Sequence, residues 1–297
     1  MSSVIISLTI KMKISAIDIG SNSVRLAVFA DGKTLYKRLE TTRLGEGVSS
    51  GRLKEEAIER TARAVNRLFE VAQTDGAEKV YAFATAAVRS AENGQAFVNR
   101  VKALCGLTVE VLSGEEEAKC GISGALQGGD GGIIDVGGAS TEVTVQKNGQ
   151  VLYTKSVNIG TVRLYDAAAR DKEKLLKVIK KAVAEYGGFT CPDLPIYAIG
   201  GTASRLGSIK HKLTEYRPEI TDGTVLTLEE MYGLADKLLS MSVEEIRATT
   251  ICGRSAEIVG GGCLLMAEVM NKFCVKEIIV SEKDNLEGYV LLKEGKL

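Results

Sequence analysis

Two short stretches carry the residue types that phosphate chemistry needs. The first is Asp18-Ile-Gly20-Ser21-Asn22-Ser23 and the second is Asp135-Val-Gly137-Gly138-Ala139-Ser140-Thr141-Glu142. A carboxylate at a strand end, followed by a glycine turn, presents backbone N–H groups and hydroxyls in a small concavity. That is a nest for phosphate oxygens, and the carboxylate is free to hold Mg2+ directly or through water. One such turn alone is better explained by a plain hairpin with a capping aspartate. Two of them facing each other across a cleft can clamp an oligo-anion and a metal ion from both sides. Glu142 is spaced to offer the metal a further carboxylate.

The run Ser113-Gly-Glu115-Glu116-Glu117-Ala118 separates structural acids from a chemical one. Ser113 and Glu116 match a capping box, and Glu115 sits where a helix dipole favours negative charge. Glu117 has no such local task. It stands at the start of a helix just before the second glycine turn, at the expected domain junction, and is the best candidate for a general base orienting a water. Arg25 and Arg89 are the candidate cations, Arg89 lying just past the turn Thr85-Ala-Ala-Val. A guanidinium there can take phosphate oxygens in a bidentate fork. Arg60, Arg63 and Arg67 form a helix stripe better read as a solvated face.

The elements that must position these groups are duplicated. Ile17–Leu26 aligns with Ile134–Val143 at a spacing of 117, sharing Ile, Asp, Gly and Ser. Asp31-Gly32 aligns with Asn148-Gly149 at the same spacing, both type I′ hairpin signals. Tyr81–Ser90 aligns with Tyr197–Leu206 at a spacing of 116, which brings the turn Gly200-Gly201-Thr202 into the phosphate-binding set. Helical spacing marks Lys54–Ala72 and Lys172–Tyr186; Thr227-x-x-Glu230 and Ser242-x-x-Glu245 are capping boxes. Val80–Ala84, Leu107–Leu112 and Ile196–Ile199 are expected as short buried strands. Strands followed by helices, twice over, predict two α/β domains with a cleft between them.

Composition narrows the function classes. The 297 residues are 45% hydrophobic and 26% charged, an ordinary globular balance, and the length suits two domains. With 38 basic against 38 acidic residues there is no global attraction to nucleic acid or an anionic membrane, so an anionic ligand must be met locally. Aromatics at 5% and no Trp argue against a base-stacking platform. The six cysteines include no C-x-x-C pair, and His211 is the sole histidine, so reduced thiols in a cytoplasmic protein are expected and a zinc site is not. The apolar run Val4–Ile10 is too short to span a bilayer, and Lys11-Met12-Lys13 offers an alternative start.

These stretches together resemble the exopolyphosphatase/guanosine pentaphosphatase (Ppx/GppA) family, a branch of the actin-like ATPase superfamily built from two duplicated ribonuclease-H-like domains. The matching segments are Ile17–Leu26, Ala84–Arg89, Leu112–Ala118, Ile133–Val143, Asn158–Leu164, Ala198–Ala203, Arg254–Gly260 and Glu287-Gly288. The resemblance implies a short form, with residues 1–127 as domain I, 128–279 as domain II, and a segment from about 280 to 297 returning to the first. It implies Mg2+-dependent hydrolysis of a terminal phosphoanhydride of inorganic polyphosphate or a guanosine polyphosphate, and family members are often homodimers. By position, Glu117 would be the base, and Asp135 and Glu142, with Asp18, would serve the metal. Gly20, Ser21, Asn22, Ser23, Arg25, Arg89, Gly137, Gly138, Ala139, Ser140, Gly200, Gly201 and Thr202 would hold the phosphates.

The chain departs from the family pattern at Ala86, Ala139, Asp222-Gly223 and Asp284-Asn-Leu-Glu-Gly288, losing an arginine and gaining an acid in the last. The lost cations and gained acids among these changes should weaken the grip on a long polyanion. Two alternatives stay open beside the polyphosphate reading. One is a guanosine pentaphosphate phosphohydrolase or a (p)ppGpp- or polyphosphate-binding regulator with little turnover. The other, kept by the shared fold rather than by these departures and opposed by the run Ser113–Ala118, is a kinase or chaperone-type ATPase of the same superfamily.

Overall fold

The alternation of side chains along a strand decides which face of each hairpin the chemistry occupies. In the computed structural model, which describes residues 12–295, β1 (Lys13–Ile19) and β2 (Ser23–Ala30) pair antiparallel with Asp18 opposite Arg25. Ile17, Ile19, Leu26 and Val28 point to one face and enter a core with Ile58, Val65 and Phe97. Ile14, Ala16, Ala27 and Phe29 point to the other face. By the same alternation Asp18 and Arg25 belong to this second face. β3 (Lys33–Thr41) extends the meander, α1 (Glu55–Thr74) crosses over, and β4 (Lys79–Ala84) returns parallel to β1. After α2 (Ala86–Ser90) and α3 (Gly94–Cys105), β5 (Glu110–Val111) completes the order β3-β2-β1-β4-β5.

The second half repeats the plan. Past α4 (Gly114–Leu126), β6 (Gly131–Val136), β7 (Thr141–Lys147) and β8 (Gln150–Val157) form the same meander, with Asp135 opposite Glu142. Then come α5 (Thr161–Ala168), α6 (Lys172–Val183), β9 (Ile196–Ile199) and α7 (Gly200–Lys210). They are followed by α8 (Pro218–Thr221), β10 (Val225–Thr227), α9 (Leu228–Ser240) and α10 (Val243–Thr249). The described chain closes with α11 (Val259–Lys272), β11 (Glu277–Val280) and α12 (Asn285–Glu294). The sheet order β8-β7-β6-β9-β11 matches the first, with β10 added at the edge beyond β11. This is a mixed α/β protein of two ribonuclease-H-like domains.

The duplication reaches fine detail. Asp31 and Gly32 have φ of 52° and 76°, and Asn148 and Gly149 have 52° and 72°, as type I′ turns require. The register shift at Val28/Phe29 recurs at Val145/Gln146. Irregularities kept in both copies re-aim the strands equally.

Two helices are exchanged between the sheets. α4, which ends before the expected 127/128 boundary, lies against β6, β7, β8 and β9, while α12 lies against β1 and α4. Ile122 of α4 meets Ile133 and Ile199, and Leu286 and Tyr289 of α12 meet Ile14, Phe29 and Phe83. The Phe83 and Tyr289 rings stack at 4.5 Å, an arrangement worth roughly 0.5–1.5 kcal/mol beyond burial. The two helices cross at glycines: a Cβ on Gly288 would lie 1.7 Å from the Cys120 carbonyl oxygen, and one on Gly124 2.1 Å from that of Asp284.

The sequence overextends a few elements. Leu107–Leu112 pairs as a strand over Glu110–Val111 alone, because β4 offers it just Phe83 and Ala84 as partners. Leu107 and Val109 are still buried. The 172–186 helix ends at Val183 and tightens into a 3-10 turn to Tyr186. The capping boxes at Ser113/Glu116, Thr227/Glu230 and Ser242/Glu245 are formed. The six cysteines are all free thiols. His211 caps α7 and shares a hydrogen bond with Thr224, away from the cleft. The Val4–Ile10 run lies outside the described residues. Among the described residues, no helix is long and apolar enough to cross a membrane.

Candidate active site

Because Asp18 faces α12 and Asp135 and Glu142 face α4, the acidic faces of both hairpins turn toward the helix pair between the sheets. One cleft is lined by Asp18, Gly20–Ser23 and Arg25 from the first hairpin, and by Asp135 and Gly137–Ser140 from the second. Glu117 from α4 and Gly200, Gly201 and Thr202 from α7 complete it, together with Thr85, Arg205, Ser255 and Asn285. The glycine turns are nearly in contact: a Cβ on Gly138 would stand 2.7 Å from Ser21 Cβ.

Each turn is closed by a matching hydrogen bond, Gly20 N–H to Ser23 O and Gly137 N–H to Ser140 O, both 3.0 Å. Among the described residues, the amides of Ser21, Asn22, Gly138 and Ala139 donate to no other backbone group. They are the donors a phosphate nest requires. Gly200 has φ of +81° and its missing Cβ would meet Asp135 Oδ1 at 2.6 Å, so glycine is needed there twice over. Thr202 is fixed by donating its hydroxyl to Val136 O at 2.6 Å.

Glu117 is buried in the first turn of α4. Arg89 donates from Nη1 to Glu117 Oε2 and to Leu112 O, each at 2.8 Å. The sequence places Arg89 in the phosphate cradle; the structure turns its guanidinium onto Glu117 instead, because the parallel strands β4 and β5 that lead into α2 and α4 end together, with Leu112 N–H bonded to Ala84 O. Burial pushes the Glu117 carboxyl up, and Arg89 opposes that shift.

Asp135 is pushed up to about 8 by burial and then by the charge of Glu117. Glu142 is raised well above the usual carboxylate range, by burial first and then by Glu117 and Asp135. It lies behind the cleft wall rather than on it. Its Oε1 accepts from Ser156 Oγ at 2.6 Å, while Oε2 is buried with no partner. Asn285 donates from Nδ2 to Asp135 Oδ2 at 3.2 Å, and its Oδ1 is also buried without a partner. The orphaned Glu142 oxygen beside mutually repelling carboxylates fits a divalent cation, which would relieve both defects, whereas Asn285 Oδ1 is turned toward Gly121 of α4.

A cage of Asp18, Asp135 and Glu142 is not formed. Among the described residues, no three acid, Cys or His side chains group as metal ligands. Asp18 is instead taken by Arg25, which also pairs with Asp284 at the N-cap of α12. Mg2+ needs no such cage, because it keeps several waters and binds through one or two carboxylates plus substrate phosphates.

Asn285, Arg205, Thr85 and Ser255 are cleft residues that the sequence reading misses. Asn285 carries no recognisable chemistry as a letter, and its place follows from α12 crossing to α4. Arg205 had a signal, since the 116-residue repeat sets it opposite Arg89.

Two ribonuclease-H-like sheets, with acid-bearing glycine turns converging on a single cleft, define a two-domain protein of the actin-like fold. The chain matches the Ppx/GppA phosphatase family over residues 24–296, and it belongs to that family. It is 27% identical to Exopolyphosphatase 2 of Mycobacterium tuberculosis, over 95% of this chain and 99% of that protein. It is 29% identical to the bifunctional 3-dehydroquinate synthase/phosphatase of Fusobacterium nucleatum, over 93% of this chain but spanning 46% of that protein. Among solved structures, the Aquifex aeolicus PPX-GPPA enzyme aligns at a TM-score of 0.76 and 29% identity, covering 95% of this chain and 99% of that one. An exopolyphosphatase-like protein aligns at 0.85 and 25% identity, covering 94% and 98%.

Proposed function

We propose that this protein hydrolyses the terminal phosphoanhydride of a polyphosphorylated substrate, inorganic polyphosphate first, with Glu117 as general base. The observation that carries the reading is the placement of Glu117: a buried carboxylate, held by Arg89, in one cleft with both Asp-Gly turns. Family membership and relatives named as exopolyphosphatases support it.

In this reading the amides of Ser21, Asn22, Gly138 and Ala139 and the turn Gly200–Thr202 hold the terminal phosphoryl group. Glu117 accepts a proton from a water as that water's oxygen bonds to phosphorus. The anhydride P–O bond breaks, inorganic phosphate leaves, and the shortened chain departs as its own oxyanion. A carboxyl raised by burial is a stronger base than an exposed one, which suits this step. Asp135 and Glu142, with Asn285 beside them, would hold a divalent cation such as Mg2+. The cation would supply neutralisation of phosphate charge. Positioning and charge neutralisation are most of what such a transfer asks of a protein.

The test is phosphate release from inorganic polyphosphate, guanosine pentaphosphate and ATP, each with Mg2+ and with EDTA. Metal-dependent release from polyphosphate supports the reading. Release confined to guanosine pentaphosphate moves the substrate to the nucleotide, and release from ATP alone overturns both.

A further inference from the structure

Three arginines line the cleft or its base, and two of them are spoken for. Arg25 is held by Asp18 and Asp284, and Arg89 by Glu117. Arg205, on α7, has no carboxylate within ion-pairing distance among the described residues. Its one hydrogen bond runs from Nη1 to Gly201 O, at 2.7 Å, a turn back on its own helix. The guanidinium has five N–H donors, so most of them are unspent.

Three features make this an expensive place for a lone cation. The side chain is half-buried. It folds toward the first turn of α7, where the helix dipole is positive and repels it. Its neighbour Arg25 is also cationic. Burial, partly offset by the Cys252 thiol, and the nearby Arg25 together push the Arg205 pKa below the ordinary arginine value. Room for the guanidinium is made by glycine: a Cβ on Gly201 would lie 2.9 Å from Nη1. An anion beside Arg205 would relieve all three costs.

The surroundings say where that anion comes from. Arg205, Arg25 and Gly201 line both the catalytic cleft and an adjoining side cavity. The cleft itself is tight, about 80 Å³, and the side cavity holds about 290 Å³. Lys37, Arg38, Leu39 and Tyr216 contribute to its wall, as do two carboxylates, Asp284, paired with Arg25 and Lys37, and Glu282, which accepts from Ser204 and Tyr216. A substrate whose terminal phosphoryl group sits in the cleft has to send the rest of its chain somewhere, and the side cavity opens directly past Arg205.

We propose that Arg205 binds the phosphoryl groups of the leaving portion of the substrate as they pass from the cleft into the side cavity. This rests on the phosphohydrolase reading above and adds to it a subsite for the leaving group. The shared chemistry is a phosphoanhydride oxyanion, whether it continues as inorganic polyphosphate or ends in a nucleoside. The pseudo-symmetry gives the residue its history: Arg89 and Arg205 are repeat counterparts, one turned to the base and the other left for the ligand.

The experiment compares wild type with Arg205→Gln and Arg205→Lys. Phosphate release is measured from tripolyphosphate and from guanosine pentaphosphate, and tripolyphosphate binding with Mg2+ is measured by calorimetry. Arg205→Gln is expected to lower kcat/KM at least tenfold, mostly through KM, and to weaken tripolyphosphate binding by a similar factor. Arg205→Lys should recover part of the binding. Without ligand, Arg205→Gln should melt no lower than wild type, because removing an uncompensated cation is not destabilising; a purely structural arginine would melt lower. A larger loss with one substrate identifies the source of the chain. KM and binding equal to wild type overturn the proposal. If wild type releases phosphate from neither compound, the hydrolase reading fails and calorimetry alone decides. Binding lost in Arg205→Gln then still supports the subsite. Equal binding, or none in wild type, overturns it.

Discussion

Arg89 Nη1 lies 2.8 Å from Glu117 Oε2, so the residue best placed to activate water is held by a cation that also grips the Leu112 carbonyl. Burial and Arg89 pull the Glu117 pKa in opposite directions. Removing Arg89 leaves burial opposed by the Thr85 hydroxyl and no longer by a cation, and raises the pKa further. The base works ionised, so Arg89→Met is expected to move the acidic limb of the kcat–pH profile upward. Rates measured from pH 5 to 9 check this, and an unmoved limb contradicts the pairing.

The acid cluster predicts how stability responds to pH and metal. The folded-state pKa of Asp135 is raised to about 8, and that of Glu142 is raised as well. A carboxyl with a raised folded-state pKa favours the fold while protonated. That contribution is complete below the unfolded value of about 4 and is lost as pH climbs toward 8. The metal-free protein should therefore melt lower at pH 8 than at pH 6. Mg2+ should restore more at pH 8, where the ligands are ionised. Glu142→Gln should flatten both trends, and thermal melts with EDTA or Mg2+ show whether it does.

Asp284 sets the charge around Arg25. It caps α12 through the Leu286 amide and pairs with Arg25 and, at 3.8 Å, Lys37. Asn caps helices as well as Asp does, so Asp284→Asn removes the charge and keeps the cap. Freed from one of its two carboxylates, Arg25 becomes available to phosphate. KM for tripolyphosphate is expected to fall by up to about tenfold, the size of one nearby unit charge. Steady-state kinetics at fixed ionic strength provide the check, and a higher KM contradicts it.

The crossing of α4 and α12 has no room for a methyl group at Gly288. Gly288→Ala should cost about 3 kcal/mol or more through forced backbone displacement. It should also reduce activity, because α12 carries Asn285 and Asp284 into the site. Denaturant melts give the first quantity and phosphate release the second. Stability like that of wild type would mean the helices are not packed this closely.

Much of this architecture can be read from spacing. The 117-residue repeat announces two hairpins, and Asx-Gly at 31–32 and 148–149 fixes their turns. The acids at 18, 117 and 135 share a cleft because strand alternation and one helix start put them there. What spacing does not carry is the pairing between remote elements. The Asp18–Arg25–Asp284 chain and the Asn285–Asp135 contact depend on α12 crossing to α4, a distance of more than 100 residues in sequence. The turning of Arg89 onto Glu117 is likewise tertiary. Arg205 was visible as the repeat partner of Arg89, but its lack of a carboxylate appears with the structure alone.

The central claim is that Glu117 takes the proton from the attacking water. Its most direct test is Glu117→Gln, which keeps shape and hydrogen bonding but cannot act as a base. With Mg2+ and tripolyphosphate, phosphate release should fall by about 10²–10⁴-fold, while calorimetric binding stays close to wild type. Phosphate release at the wild-type rate would contradict the account.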